Sequence, residues 1–342
     1  MRYWVLKHRK ECRIIIILVI LALAVIAFWK ILYGAILELR NMRAWEVAAM
    51  AALGILYQFM DGFNFTTMAK VEHPEYRRLH GLECAFYTSF FRVTSFGSAP
   101  YAATAYSMYK RGIPLEEGMA ISTVNYTYHK IVIAVICIGS GIVSMGTLRG
   151  LGEQYVWYFI FSLILVVPIA VFLLGTCLSR KFHGFVLWLL RKMDRKHRHG
   201  GSIDRLEEQL YHMKQTARRQ IRNGKGLAVM FVRHVVKQLG IYAIVYLALY
   251  DELQCGFWPL MALTAVVIAI AGVMPAPGGI GSTELAFSLL MVGLASQTKI
   301  LSAALLFRFF SFYFAGLVGG IMILIQKMVV RSKVRRARGG RV

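Results

Sequence analysis

Acidic residues are scarce in this chain: 17 Asp and Glu stand against 40 Lys and Arg. Cysteine is sparse too. Cys12, Cys84, Cys137, Cys177 and Cys255 are scattered singly, with no spacing suited to a metal or a redox pair. No metal and no cofactor are therefore expected. Cys12, beside a membrane entry, reads as an inert thiol rather than an acylation site. Walker A, HExxH, Gly-x-Ser-x-Gly and paired-carboxylate motifs are also absent, so nothing in the sequence points to hydrolysis and no catalytic residue is assigned. His129 and His183 are isolated and read as ordinary span or interface histidines.

What the chain has in quantity is apolar sequence. The hydrophobic fraction is 58%, against roughly 45–50% in soluble domains. Several runs reach the ~20 residues that cross ~30 Å of hydrocarbon. The expected fold class is an all-α polytopic membrane protein. The basic excess could suggest nucleic acid, but the cations cluster beside apolar runs, which is the positive-inside pattern. Direct nucleic-acid binding is not expected.

Six full spans are expected at about 14–37, 44–68, 120–148, 155–178, 227–250 and 301–326. The first is read as an uncleaved anchor rather than a removed signal, because its small residues lie inside the apolar run. Two more apolar stretches, 82–109 and 258–297, are interrupted. Cations place the N-terminus, the 69–81 loop, Lys110–Arg111, the 180–226 linker and the tail from Lys327 on the cytoplasmic side. Asp251 and Glu252 then fall outside. The count closes only if 82–109 enters and leaves from inside and 258–297 from outside, each as a re-entrant hairpin or as a pair of short helices. The expected organisation is a membrane half over 1–179, a basic amphipathic linker over 180–226, a second membrane half over 227–326 and a basic tail over 327–342.

The second interruption is the sharpest local signal. Residues 274–284 hold Pro275 and Pro277 with Gly278, Gly279 and Gly281. Proline lacks an N–H and glycine leaves the backbone loose, so no helix continues through them. Broken backbone inside a bilayer persists only where protein or a water-filled cavity satisfies it, and transporters bind ligands at such breaks. The first interruption runs through Gly97, Ser98 and Pro100. Lys110, Arg111 and Gly112 suit the end of its second arm, and Pro114 with Glu116 and Glu117 suits the start of the next helix. Two broken segments entering from opposite faces are the pattern of an inverted repeat around a midplane site. The halves share no evident identity, so two independent packing kinks are the competing reading.

In the linker, Ile203, Leu206, Leu210, Met213 and Ala217 recur at helical spacing, predicting an amphipathic helix over 203–222 with Ser202 as N-cap. It either lies on the inner leaflet or packs under the bundle. The tail reads as a disordered charge run.

A charge at membrane depth costs roughly 2.5–3.5 kcal/mol and needs a reason. Arg308 lies inside the last span, Glu284 opens the helix after the glycine break, and Arg92 precedes the first break. Helix N-termini after Gly281 and Pro100 would offer free N–H groups, and arginine a forked donor, for a phosphate. The candidate binding set is therefore Arg308, Glu284, Arg92, Gly278, Gly279, Gly281, Ser282, Gly97, Ser98 and Pro100. Glu284 could equally offset a helix dipole after a Ser282 cap, or pair with Arg308 to make burial tolerable. Asp61 and Lys130 read as structural, and Arg233, His234 and Lys237 as anchors near a membrane entry.

Pro275-Ala276-Pro277-Gly278-Gly279-Ile280-Gly281, then Glu284 and Arg308, resembles the C-terminal signature of the lysylphosphatidylglycerol synthase transmembrane family. The family includes the flippase region of the bacterial multiple peptide resistance factor. Phe96-Gly97-Ser98-Ala99-Pro100 with Tyr106, Tyr109, Lys110, Arg111 and Gly112 is similar to its N-terminal motif, although relatives carry more glycine there. The resemblance implies a multi-pass protein of a bacterial plasma membrane, both termini cytoplasmic, that moves an aminoacylated or other anionic phospholipid between leaflets. Related membrane regions in archaeal glycosyltransferase fusions extend the expected lipids to polyprenyl phosphates. The family label also implies lysyl transfer from lysyl-tRNA to phosphatidylglycerol. In the resistance factor a soluble domain does this, and no segment of the present chain is expected to. The alternatives are thus a lysyltransferase acting with a separately encoded catalytic domain, or a non-transporting scaffold. A soluble aminoacyltransferase and a second copy of the chain are the candidate protein partners.

Overall fold

The computed structural model describes residues 29, 33–34, 36–95, 97–193, 200–274, 276, 279 and 281–339. The expected anchor over 14–37 lies largely outside them, as do Cys12, Phe96 and Gly278. The described chain is helical, with no strand among the described residues. Its helices are α1 (Ala44–Ala69), α2 (Arg78–Thr94), α3 (Pro100–Tyr109), α4 (Leu115–Leu151), α5 (Glu153–Leu178), α6 (Arg180–Met193), α7 (Gly200–Arg222), α8 (Gly224–Leu249), α9 (Phe257–Ala271), α10 (Ser282–Leu290), α11 (Gln297–Arg308) and α12 (Phe314–Gly339). A single π turn, Phe309–Tyr313, joins the last two.

Three stretches are both long and apolar enough to cross a bilayer: Leu115–Leu151, Gly224–Leu249 and Gln297–Met328. Helix α1 has the length, at 26 residues, but its second half carries Gln58, Asp61, Asn64, Thr66 and Thr67.

Contacts sort the helix ends into two groups. At the basic end, His73 meets Glu117, Arg219 meets Glu72, Arg111 meets Glu83, and Gln220 donates to the Met68 carbonyl at 2.9 Å. At the other end, Tyr250 donates to Glu46 at 2.8 Å, the Ser296 N–H to Glu252 at 3.0 Å, and Tyr155 to the Val292 carbonyl.

Each broken segment is a hairpin. Helices α2 and α3 lie side by side, with Thr88 bonded to Thr104 at 2.8 Å and Glu83 to Arg111 near the ends. At ~1.5 Å per residue, the 10 residues of α3 are too short to cross a membrane. Helices α9 and α10 pack together, and their outer ends meet where the Gln254 N–H donates to the Leu294 carbonyl at 3.2 Å. The first hairpin is rooted at the basic end and the second at the opposite end.

Small residues bring α1, α2 and α12 close, as expected where apolar side chains gain nothing over lipid. A Cβ on Gly81 would sit 2.2 Å from the Gly62 carbonyl oxygen, and one on Gly319 would sit 2.2 Å from the Phe86 carbonyl oxygen. Backbone cannot move aside as a side-chain tip can. Gly81→Ala is therefore expected to lower stability by about 1–3 kcal/mol, read as a fall in the thermal midpoint in detergent; an unchanged midpoint would refute the close contact.

Helix α7 starts at Gly200, two residues before the expected Ser202 cap. It packs against α4 and α5, with Thr216, Ala217 and Gln220 buried, so it sits under the bundle rather than free on a leaflet. Helix α6, Arg180–Met193, is an addition to the single helix expected in the linker. The tail is not a disordered run: α12 continues through it to Gly339.

His73 ties the α1–α2 loop to the start of α4, its Nε2 standing 3.0 Å from Glu117. Burial alone would lower its pKa, but the hydrogen bond and charge of Glu117, with Glu75 and Glu72, raise it above 6.5. A raised folded-state pKa gives stability that is complete below about pH 6.5 and is lost as pH rises through the folded value. His73→Gln should flatten that part of the stability–pH profile; an unaltered profile would mean that the tie contributes nothing.

Candidate functional site

The second break begins where α9 ends at Ala271. Gly281, at φ 84°, is the N-cap of α10, a left-handed conformation that a side chain disfavours. The expected cap, Ser282, is instead the first helical residue, and its hydroxyl donates to the Gly279 carbonyl at 3.1 Å. Glu284 does the capping: its Oε2 accepts from the Gly281 N–H at 2.9 Å. An acid three residues past the cap satisfies an orphan donor and offsets the helix dipole.

Arg308 closes the same loop from α11. It is 3% exposed, and 12 residues of α11 put it ~18 Å from the helix start, about half the depth of a bilayer core. Its Nη1 donates to the Gly279 carbonyl and lies 3.3 Å from Glu284 Oε2, while Nη2 lies 3.4 Å from the Tyr313 hydroxyl. Glu284 thus both caps α10 and pairs with Arg308, through one oxygen. Its other oxygen, Oε1, is buried with no hydrogen-bond partner among the described residues.

The π turn after Arg308 brings the two hairpins together. A π turn widens the helix and redirects side chains, and such turns recur at functional sites. Gly54 of α1 admits its backbone: a Cβ there would lie 3.0 Å from the Phe310 carbonyl oxygen. Within the turn, the Phe312 ring lies 5.2 Å from the Arg92 guanidinium and 5.9 Å from that of Arg308. Arg92 also donates to the Ser311 carbonyl at 3.3 Å. Two arginines far apart in sequence therefore share one aromatic ring at mid-depth, in cation–π range of it.

The remaining expected residues lie differently. The first break is satisfied internally: the Gly97 N–H donates to the Arg92 carbonyl at 2.8 Å, the Ser98 hydroxyl to the Ser95 carbonyl at 2.8 Å, and the Ala99 N–H to Ser95 Oγ at 3.0 Å. Gly97 and Ser98 are exposed, and Pro100 opens α3. Gly279 and Gly281 line the second break, and Gly278 lies outside the described residues.

Lys130 of α4 holds its ammonium 5.3 Å from the Tyr126 ring. Of Arg233, His234 and Lys237, the last two are buried inside the bundle and are not membrane-entry anchors. Arg233 donates to the Phe63 carbonyl at 3.1 Å and to Thr67 at 2.8 Å. Lys237 is 2% exposed and paired with Asp61, and His234 is fully buried. Hydropathy gives depth along a helix but not which face turns inward.

A model of the lysylphosphatidylglycerol synthase TM region matches residues 12–319. No curated protein matches the chain. The chain belongs to the lysylphosphatidylglycerol synthase transmembrane family.

Proposed function

We propose that this member of the lysylphosphatidylglycerol synthase transmembrane family moves an aminoacylated or other anionic phospholipid between leaflets. Membership links the protein to the membrane and to lysylphosphatidylglycerol. The observation that carries the transport reading is the buried Arg308, fixed to the second break and sharing the Phe312 ring with Arg92. Arg308 and Arg92 together exceed the carboxylate of Glu284, so the locality favours an anion. A lipid phosphate fits that charge, and acyl chains can remain in the bilayer. Glu284 Oε1 is the natural acceptor for the ammonium of an aminoacyl group.

At the basic end a cavity of about 700 Å³ opens between the first hairpin and α12. Lys110, Arg111 and Lys327 line it, with the Lys110 ammonium 4.5 Å from the Tyr106 ring. We read it as the head-group entry, facing the cytoplasm by the positive-inside rule.

The test is a leaflet-resolved assay. Purified protein in vesicles containing acyl-labelled phosphatidylglycerol or lysylphosphatidylglycerol should speed exchange between leaflets over protein-free vesicles. Exchange no faster than in protein-free vesicles would overturn the reading. Formation of lysylphosphatidylglycerol only when lysyl-tRNA and a soluble aminoacyltransferase are added would favour the transferase alternative instead.

A further inference from the structure

A second polar cluster lies inside the bundle, apart from the broken segments. Lys237 of α8 pairs with Asp61 of α1 and lies 4.6 Å from the Tyr57 ring. One turn away on α8, His234 is 0% exposed, and neither ring nitrogen has a hydrogen-bond partner among the described residues. Its ring is 5.8 Å from that of His129 on α4 and 5.7 Å from that of Tyr128. His129 Nδ1 is likewise unpartnered. A neutral imidazole carries one N–H, and leaving it buried without an acceptor costs ~1–3 kcal/mol. His234, kept this way against a second imidazole, calls for a role beyond packing.

The surrounding charges suggest that role. Asp61 comes from α1, Arg92 from α2, Lys130 from α4 and Lys237 from α8; α9 contributes no titratable group. His129 lies within electrostatic reach of Lys237, His234, Lys130 and Arg92. Three cations therefore lie around that ring, and the carboxylate of Asp61 is paired with one of them, Lys237. A phosphate held by Arg92 adds negative charge to that field. The same negative charge that Arg92 attracts then favours a proton on the neighbouring imidazoles.

We propose that His129 and His234 form a proton-binding site coupled to the anionic lipid, so that lipid phosphate and one proton bind together. The proton comes from water and lands on an imidazole nitrogen; no other bond changes. Coupling is reciprocal by necessity: if the lipid draws in a proton, acid must tighten lipid binding. The inference rests on the anionic-lipid reading above.

Titration calorimetry with short-chain phosphatidylglycerol, in two buffers of different ionisation enthalpy, separates binding from proton uptake. The expected result is binding with uptake approaching one proton, and affinity that rises as pH falls by at most about tenfold per pH unit. Short-chain phosphatidylcholine should show no uptake. In the His129→Gln/His234→Gln variant, phosphatidylglycerol should still bind at high pH, without uptake. If that variant fails to fold, His234→Gln alone should lower the uptake. Binding without uptake in the unmodified protein overturns this inference alone, as does full uptake by the folded variants. No binding heat at any pH overturns the lipid reading and this inference together.

Discussion

Lys237→Met is expected to destabilise the protein by about 3–5 kcal/mol, and adding Asp61→Asn is expected to recover most of that loss. Methionine fills nearly the space of the lysine stem, so packing changes little. What changes is charge. Lys237 is 2% exposed and Asp61 17% exposed by side chain, and removing the ammonium strands a carboxylate between α1 and α8. Asparagine removes that charge and keeps a polar group of the same shape. A double-mutant cycle, by reversible unfolding in mild detergent, isolates the pair. Should both single variants lose less than about 1 kcal/mol, the pair is solvated and the buried polar cluster loses its basis.

That pair also marks the limit of what the sequence reveals. Proline and glycine announce the breaks, because no helix tolerates Pro275, Pro277 and three glycines within a few residues. Cations announce the loop ends, and closing the topology makes 82–109 and 258–297 each enter and leave from one side, without deciding between a re-entrant hairpin and a pair of short helices. Arg308 and Glu284 are legible because charge is rare in apolar sequence. Partners are less so. Asp61 and Lys237 lie 176 residues apart, and only the packing of α1 on α8 turns those two faces toward each other. Helix α6 is hard to see in the sequence because its apolar stretch, Phe182 and Phe185–Leu190, is short and flanked by cations.

Arg308→Ala is expected to reduce lipid exchange by at least about 100-fold while the protein still inserts; that loss corresponds to roughly 2.7 kcal/mol. One guanidinium holds three groups here: the Gly279 carbonyl, Glu284 and the Tyr313 hydroxyl. Alanine releases all three, so the second break loses its tie to α11 and Glu284 keeps only the Gly281 N–H. Arg308→Lys separates charge from geometry. Lysine restores a cation but not the planar fork that reaches Gly279 and Tyr313 at once. It should therefore recover most of the thermal stability yet leave exchange at least about tenfold below the unmodified rate, because one ammonium cannot hold the loop and offer a donor to phosphate. Glu284→Gln, which retains a hydrogen-bond acceptor for Gly281, should slow a lysylated lipid more than phosphatidylglycerol itself, since only the former carries an ammonium for that carboxylate. Unimpaired exchange by folded Arg308→Ala would dismiss the site, and equal slowing of both lipids by Glu284→Gln would dismiss the aminoacyl role alone.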